Sequence, residues 1–302
     1  MEIRDLQYFA IVAEHQNMGR AAEALHLSAT ALSKCLRRLE KSVGAKLIQR
    51  APKGVALTAV GAVLLTRIGP LQGILNDVRR EAADLAQGQA GHINVGVSPG
   101  GPENFVADAC VSLSKESMSI SLKVFAADNS ILSKWLHKGE MDFCIAGPRS
   151  YSSKEFITEH IYDDPFVVFA SAHHRLAKRK QVSTTDLDGE RWASLINPQR
   201  QTAFRIFEAH GFPVPPISLD TNSPAVRLSA IAYSNYLGLI SRQLLRREAH
   251  RYPLAELPVR EFTLASTMSI VYRKGAYLSP AAQRLIEILK TQGKKMSSSV
   301  SN

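Results

Sequence analysis

Apolar residues in the first ninety positions recur at spacings of three and four, the period of amphipathic helices. Ile3, Leu6, Phe9, Ala10 and Ala13 share one face of an opening helix that ends at His15-Gln16-Asn17. Asn17 is placed to cap a second helix whose inner face is Ala21, Ala22 and Leu25, small enough for another helix to approach closely. His26-Leu27 makes a short turn. Ser28 caps a third helix with Leu32, Leu36, Leu39 and Val43 along its buried side, and Gly44 closes it. Lys46 to Arg50 reads as a strand, Ala51 to Gly54 as a turn and Val55 to Leu57 as the return, a two-stranded wing. Thr58 then caps a long helix to about Gln87. Its apolar positions Leu64, Ile68, Leu71, Leu75, Val78, Ala82 and Leu85 alternate by four and three, which predicts pairing with another helix along a seam, and so a dimer. Pro70, behind Gly69, predicts a kink or local break in that helix.

After the linker Gln87 to Gly91 the pattern changes to strands alternating with helices, the rhythm of a parallel sheet with right-handed crossovers. Strands are expected at His92 to Val97, Ile120 to Phe125 and Asp142 to Ala146, with helices at Pro102 to Ser114 and Ser130 to His137. Near Tyr162 the chain is expected to enter a second lobe, with a strand at Phe166 to Ala170, helices at Thr202 to His210 and Ala225 to Tyr233, and a strand at Leu237 to Ile240. Glu261 to Tyr272 returns to the first lobe and Ala281 to Lys290 closes it with a helix; the serine-rich end is expected to be disordered.

Charge sharpens the picture at one place. The outward face of the third helix is Thr30, Ser33, Lys34, Arg37, Arg38 and Lys41, hydroxyls near its start and cations further along, which suits a helix that reads base edges and grips phosphates. An ordinary helix with a basic solvated face is the alternative. Arg50 and Lys53 stand where a wing reaches sugar-phosphate backbone. The net charge of +10 over 302 residues is compatible with a nucleic-acid partner but does not localise it, since residues 1–90 hold 12 Lys and Arg against 8 Asp and Glu. Cys35, Cys110 and Cys144 are odd in number and far apart, which argues against a disulfide framework and fits a reducing compartment. With no run of eighteen apolar residues and no signal-peptide core, a cytoplasmic protein without membrane contact is expected.

Two motifs suggest other chemistry. Gly96-Val97-Ser98-Pro99-Gly100 spells the nucleophile elbow of serine hydrolases, but the oxyanion hole of that elbow uses the amide of the residue after the serine, and Pro99 has none. The stretch fits better as a cradle in which Ser98 and the amides of Gly100 and Gly101 hold an anionic group. His173-His174 lacks Cys, Asp or Glu ligands at a recognisable spacing, so no metal or other cofactor is expected.

Taken together, Leu6-Gln7-Tyr8-Phe9, Ala21-Ala22, Leu25-His26-Leu27-Ser28, Leu32-Ser33, Leu39-Glu40, Gly44, Leu47, Arg50, Gly54, Leu57-Thr58 and Gly61 resemble the LysR-type transcriptional regulators, and weaker echoes at Gly139-Glu140-Met141-Asp142 and His174-Arg175-Leu176-Ala177 extend the resemblance over nearly the whole chain. It implies an all-α winged helix-turn-helix (1–58), a linker and dimerisation helix (59–90), and an α/β effector-binding domain like periplasmic binding proteins (91–292; lobe I 91–161 and 267–292, lobe II 162–266), then a disordered tail (293–302). It implies a non-enzymatic regulator that binds double-stranded promoter DNA, assembles as a homotetramer, meets RNA polymerase and answers a small-molecule effector. The DNA-binding residues become Ser28, Ala29, Thr30, Ser33, Lys34, Arg37, Arg38, Arg50 and Lys53. Ala29 and Thr30 depart from the family's usual glutamine followed by proline or serine, which removes an amide from the first base-reading position. The family's cleft-lining loops, carried onto this sequence, are Ser98, Pro99, Gly100, Gly101, Asn129, Ser130, Gly147, Pro148 and Arg149 from lobe I, and Arg200, Gln201, Thr202, Asn222 and Ser223 from lobe II. Arg149 and Arg200 are placed to neutralise a carboxylate or sulfonate. The rival expectation is a small-molecule-binding protein or enzyme on the two-lobed domain, its N-terminal helices serving assembly alone.

Overall fold

The structure, a computed structural model, describes the chain apart from residues 53, 88–90, 100–101, 117–119, 197–206, 209–210, 212–213, 260–264 and 301–302, with the backbone alone at 87, 149 and 297–300. It divides into two compact units, Met1–Arg80 with His137–Glu140, and Glu81–Leu136 with Met141–Asn302.

The first unit opens with α1 (Ile3–His15), α2 (Met18–Ala24) and α3 (Ala29–Val43). Asn17 caps α2, its Oδ1 accepting from the amides of Gly19 at 2.9 Å and Arg20 at 3.1 Å, and Ser28 caps α3, its Oγ accepting from the Ala31 amide at 3.1 Å. Leu6, Phe9, Val12, Ala21, Ala22, Leu32, Leu36 and Leu39 fill the core between the helices. Ile3 is exposed and Val12 takes the buried place on α1, with Asp5 buried beside it. The wing is β1 (Ile48–Ala51) paired antiparallel with β2 (Gly54–Leu57), and the Val55 amide donates to the Gln16 carbonyl at 2.9 Å, docking the hairpin on the end of α1. Thr58 Oγ1 accepts from the Gly61 amide at 3.0 Å and starts α4 (Ala59–Gln87). A Cβ at Gly61 would stand 2.0 Å from the Leu47 carbonyl oxygen, so the contact of helix and wing needs glycine there.

The α4 helix runs through Pro70 without the expected break, because a proline removes one amide and the neighbouring turns keep theirs. Its apolar positions also divide differently from the expected stripe. Ile68, Leu64 and Leu65 turn into the chain's own core, whereas Val60, Val63, Leu71, Ile74, Val78 and Leu85 are exposed.

The second unit holds two five-stranded sheets. The first has the order β4-β3-β5-β12-β6, from β3 (His92–Val97), β4 (Ser121–Ala126), β5 (Phe143–Ala146), β6 (Phe156–Asp163) and β12 (Thr267–Arg273). Strands β4, β3 and β5 are parallel, but β12 runs antiparallel to β5 and β6, so the sheet is mixed rather than parallel throughout. The helices α5 (Glu103–Glu116) and α9 (Pro280–Val300) supply the apolar layer with Ile93, Val95 and Phe143, and α6 (Asn129–His137) packs with Cys144, Ala146 and Val271. Asp142 Oδ2 accepts from the Asn94 amide at 2.7 Å, tying the entry of β5 to β3. The expected disordered tail is instead helical to Val300. Leu285, Ile286, Ile288 and Leu289 pack into the sheet's core with Met296 against it, and Gly293 sits close against Ile161, which carries the helix past the serine-rich sequence.

The chain leaves this sheet after Asp163, and the second has the order β11-β7-β10-β8-β9, from β7 (Phe166–Ser171), β8 (Arg191–Leu195), β9 (Ile217–Thr221), β10 (Tyr236–Ser241) and β11 (Leu254–Glu256). Its helices α7 (Pro224–Ala232) and α8 (Arg242–Glu248) pack on Val167, Phe169, Ala193 and Ile240. The helix expected at 202–210 lies mostly outside the described residues.

Candidate nucleic-acid and effector sites

On α3 the buried leucines fix which residues face outward: Ala29, Thr30, Lys34 and Arg37 are exposed and Ser33 is half-buried. The Ser28 hydroxyl is engaged as the helix cap. Arg37 Nε donates to the Ser33 carbonyl at 3.4 Å, and among the described residues neither Lys34, Arg37 nor Arg50 has an acidic partner. Arg50 lies exposed on β1, and Lys53 lies outside the described residues. Arg38 differs from its neighbour. Its Nε and Nη2 donate to the two oxygens of buried Asp5 at 2.7 and 2.6 Å, and Nη2 also reaches Glu2 at 3.1 Å. That guanidinium is paired with α1, while its side chain stays half exposed on the outward face of α3.

Glu40, at the other end of α3, is nearly buried. Its Oε1 accepts from the Leu47 amide at 3.0 Å and its Oε2 from Lys46 Nζ at 2.8 Å, joining α3 to the segment that leads into the wing. Burial alone would raise its pKa, but the bonds from Lys46 and Leu47 outweigh it and hold the carboxyl below its usual value.

In the first sheet the parallel register sets Val97 of β3 beside Ala126 of β4 and Ile145 of β5, so the loops at their carboxyl ends meet. Ser98 is buried and its amide donates to the Ile145 carbonyl at 3.0 Å. Asn129 is buried at the start of α6; its Nδ2 donates to Ser150 Oγ at 3.1 Å, and its Oδ1 has no hydrogen-bond partner among the described residues. Ser98, Asn129 and the Gly147–Pro148 turn are thus brought to one end of the sheet, with Pro99 and Ser130 exposed there. Gly100, Gly101, Arg200, Gln201 and Thr202, and the Arg149 side chain, lie outside what is described. On the second sheet Asn222 is exposed and Ser223 caps α7 through the Val226 amide at 3.4 Å. A shallow cavity of about 530 Å³ lined by Glu159, His160, Ile161, Lys290 and Lys294 holds none of the expected effector residues.

Residues 3–62 match the bacterial regulatory helix-turn-helix family described as lysR, and residues 86–294 match the LysR substrate binding domain. The chain belongs to the LysR family of transcription regulators. It is a DNA-binding regulator with an effector-binding domain. Among its relatives, the HTH-type transcriptional regulator GbpR of Azospirillum brasilense is 24% identical over 297 residues, covering 96% of this chain and 86% of GbpR. The RuBisCO operon transcriptional regulator of Allochromatium vinosum is 27% identical over 301 residues, 98% of each chain. Full-length OxyR from Pseudomonas aeruginosa, solved with a cysteine-to-aspartate substitution, has a similar fold, with a TM-score of 0.63 at 22% identity over 97% of this chain and 95% of that one.

This LysR-family chain has no cysteine after Cys144. Cys144 is buried 3.4 Å from the Tyr151 hydroxyl, and burial pushes its thiol up to about 12; burial also raises Cys110. His174 is buried with its Nδ1 accepting from the Leu176 amide at 3.2 Å, which leaves the proton on Nε2, 3.5 Å from Glu190. Among the described residues, no helix is long and apolar enough to cross a membrane.

Sequence reasoning missed charged residues that the fold buries, among them Asp5, Glu40 and Arg227. Each stands on the apolar face of its own helix, and that misplaced charge was the available signal.

Proposed function

We propose that this regulator reads specific promoter sites through the exposed start of α3, with Ala29, Thr30 and Ser33 at base edges, Lys34 and Arg37 on phosphates, the first turn capped by Ser28, and Arg50 and Lys53 on the backbone flanking the groove. The observation that carries this reading is that Lys34 and Arg37, exposed on α3, meet no acidic group among the described residues, while the Asp5–Arg38 and Glu40–Leu47 bonds hold the helix in place. Its effector is a small organic anion, carboxylate or sulfonate, seated at the carboxyl ends of the strands by Ser98 to Gly101, Asn129, Ser130, Gly147 to Arg149, Arg200 to Thr202, Asn222 and Ser223. Binding there shifts the population between two arrangements of the DNA-binding arms.

The working assembly is a dimer joined through α4 and paired into a tetramer that meets RNA polymerase in the cytoplasm. The domain limits are 1–58, 59–90 and 91–292. A hydrolase reading gains nothing from Ser98, because Pro99 offers no amide for an oxyanion. A thiol-switch reading is disfavoured by the raised pKa values of Cys110 and Cys144. Footprinting on the DNA upstream of the chain's own gene tests the regulator: a protected site of defined sequence is expected, and uniform protection at every sequence overturns it. A thermal-shift screen of carboxylates and sulfonates tests the effector, with about 2.7 kcal/mol of added stability expected at a hundredfold excess over Kd.

A further inference from the structure

Arg227 lies one turn into α7, on the face that packs against the second sheet, and is 6% exposed. Its Nη1 donates to the Leu239 carbonyl at 2.9 Å, its guanidinium carbon lies 5.7 Å from the centre of the Phe169 ring, and its Nε has no hydrogen-bond partner among the described residues. Nor does any described carboxylate pair with it. A guanidinium stays charged in proteins, and a buried charge is ordinarily paired. Burial alone acts on its pKa, pushing it down to about 10.

The position of this cation is specific. The ladder between β8 and β10 consists of Tyr236↔Arg191 and Leu237↔Trp192, and ends two residues before Leu239. The guanidinium therefore meets β10 at its carboxyl half, just past the point where the parallel pairing stops. In open α/β sheets, the crevice outside the carboxyl ends of parallel strands is where ligands bind. Ser223, which caps α7, stands one turn before Arg227 on the same helix, so the helix start and the cation belong to one end of the lobe.

We propose that Arg227 is a further charge-neutralising residue of lobe II for the effector's oxyanion. This rests on reading the carboxyl ends of the strands as the effector site. The unmatched Nε and the missing counter-ion are then met by the ligand, and the bond to Leu239 holds the guanidinium in place for it.

Calorimetric titration of the full-length chain with inorganic phosphate and, separately, with acetate, at constant ionic strength, tests this and tells the two oxyanions apart. Saturable binding of at least one anion is expected, weakened at least tenfold in Arg227→Met and less in Arg227→Lys. A second arm uses the unaltered protein: with labelled arginine, the buried Arg227 Nε–H gives a slowly exchanging resonance that the bound anion moves. Equal binding by Arg227→Met, or an unmoved resonance at saturation, overturns the proposal. DNA retardation is run on every variant. Anion binding lost with DNA binding kept marks a folded chain and supports the role, while failure of the unaltered protein to bind DNA counts against the regulator and leaves the anion result to be read independently.

Discussion

Arg38 grips Asp5 with two parallel hydrogen bonds, 2.7 and 2.6 Å, across the crossing of α3 and α1. The adjacent Arg37 is exposed and meets no carboxylate among the described residues. Neighbouring arginines on one helix therefore differ in their surroundings: Arg38 ties α3 to α1, and Arg37 has no acidic partner among the described residues.

This separates two substitutions that sequence alone would treat as equivalent. Arg37→Ala is expected to weaken DNA binding and to reduce the slope of log K against log salt by about 0.9, the contribution of one phosphate contact. Arg38→Ala is expected to leave that slope unchanged and to lower the thermal midpoint, since it strands the buried Asp5 carboxylate. A salt titration beside a melting curve checks both, and a reduced slope in Arg38→Ala returns that residue to the DNA contacts.

Glu40 gives the N-terminal unit an acid limit. Its folded pKa lies below the usual 4.5, so its contribution is complete above that value and is lost as the pH falls through the lower folded value. Glu40→Gln is expected to cost about 2 kcal/mol at pH 7, the scale of a hydrogen bond to a charged group. The gap between the two proteins should close as the pH falls below 4.5. Denaturant melts at pH 7, 5 and 3 measure it, and a constant gap shows that the Glu40 charge contributes nothing.

The helical half of this architecture was legible because its signals are local. Caps at Asn17 and Ser28 and the leucine period of α3 fix elements within a few residues. The strands β6, β8, β9 and β11 were not read: β8 is a buried run without alternation and β11 is only three residues long, whereas β9 does alternate half-buried with exposed positions and carried a signal that was passed over. The tail's helix depends on contacts with Ile161, well over a hundred residues earlier, which serine content does not reveal. Charges such as Asp5 and Arg227 take their roles from partners on other elements, so their functions appear only in three dimensions.

The cysteines give a negative result worth measuring. With its thiol pushed up to about 12, Cys144 carries almost no thiolate at neutral pH, and Cys110 is displaced in the same direction by burial. Mass spectrometry after brief treatment of the native protein with hydrogen peroxide or a thiol reagent is expected to find Cys144 unmodified and Cys110 slower than in the unfolded chain. Rapid oxidation of either, with a change in DNA binding, favours a redox switch over the organic anion.

The split stripe on α4 makes the dimer testable at single residues. Val60, Val63, Leu71, Ile74, Val78 and Leu85 fall on one track of three- and four-residue steps, with Arg67 and Glu81 in the two remaining places, and all are exposed within one chain. Leu64 and Ile68 belong to the chain's own core. Ile74→Asp is therefore expected to dissociate the assembly while leaving each chain folded. Each copy loses the burial of one aliphatic side chain, roughly 1.5–3 kcal/mol, and a symmetric interface counts it twice. The dimer Kd should rise by about two to four orders of magnitude. Ile68→Asp should instead unfold the N-terminal unit. Sedimentation velocity with circular dichroism on both variants distinguishes these outcomes. A dimer that survives Ile74→Asp places the seam elsewhere on the molecule.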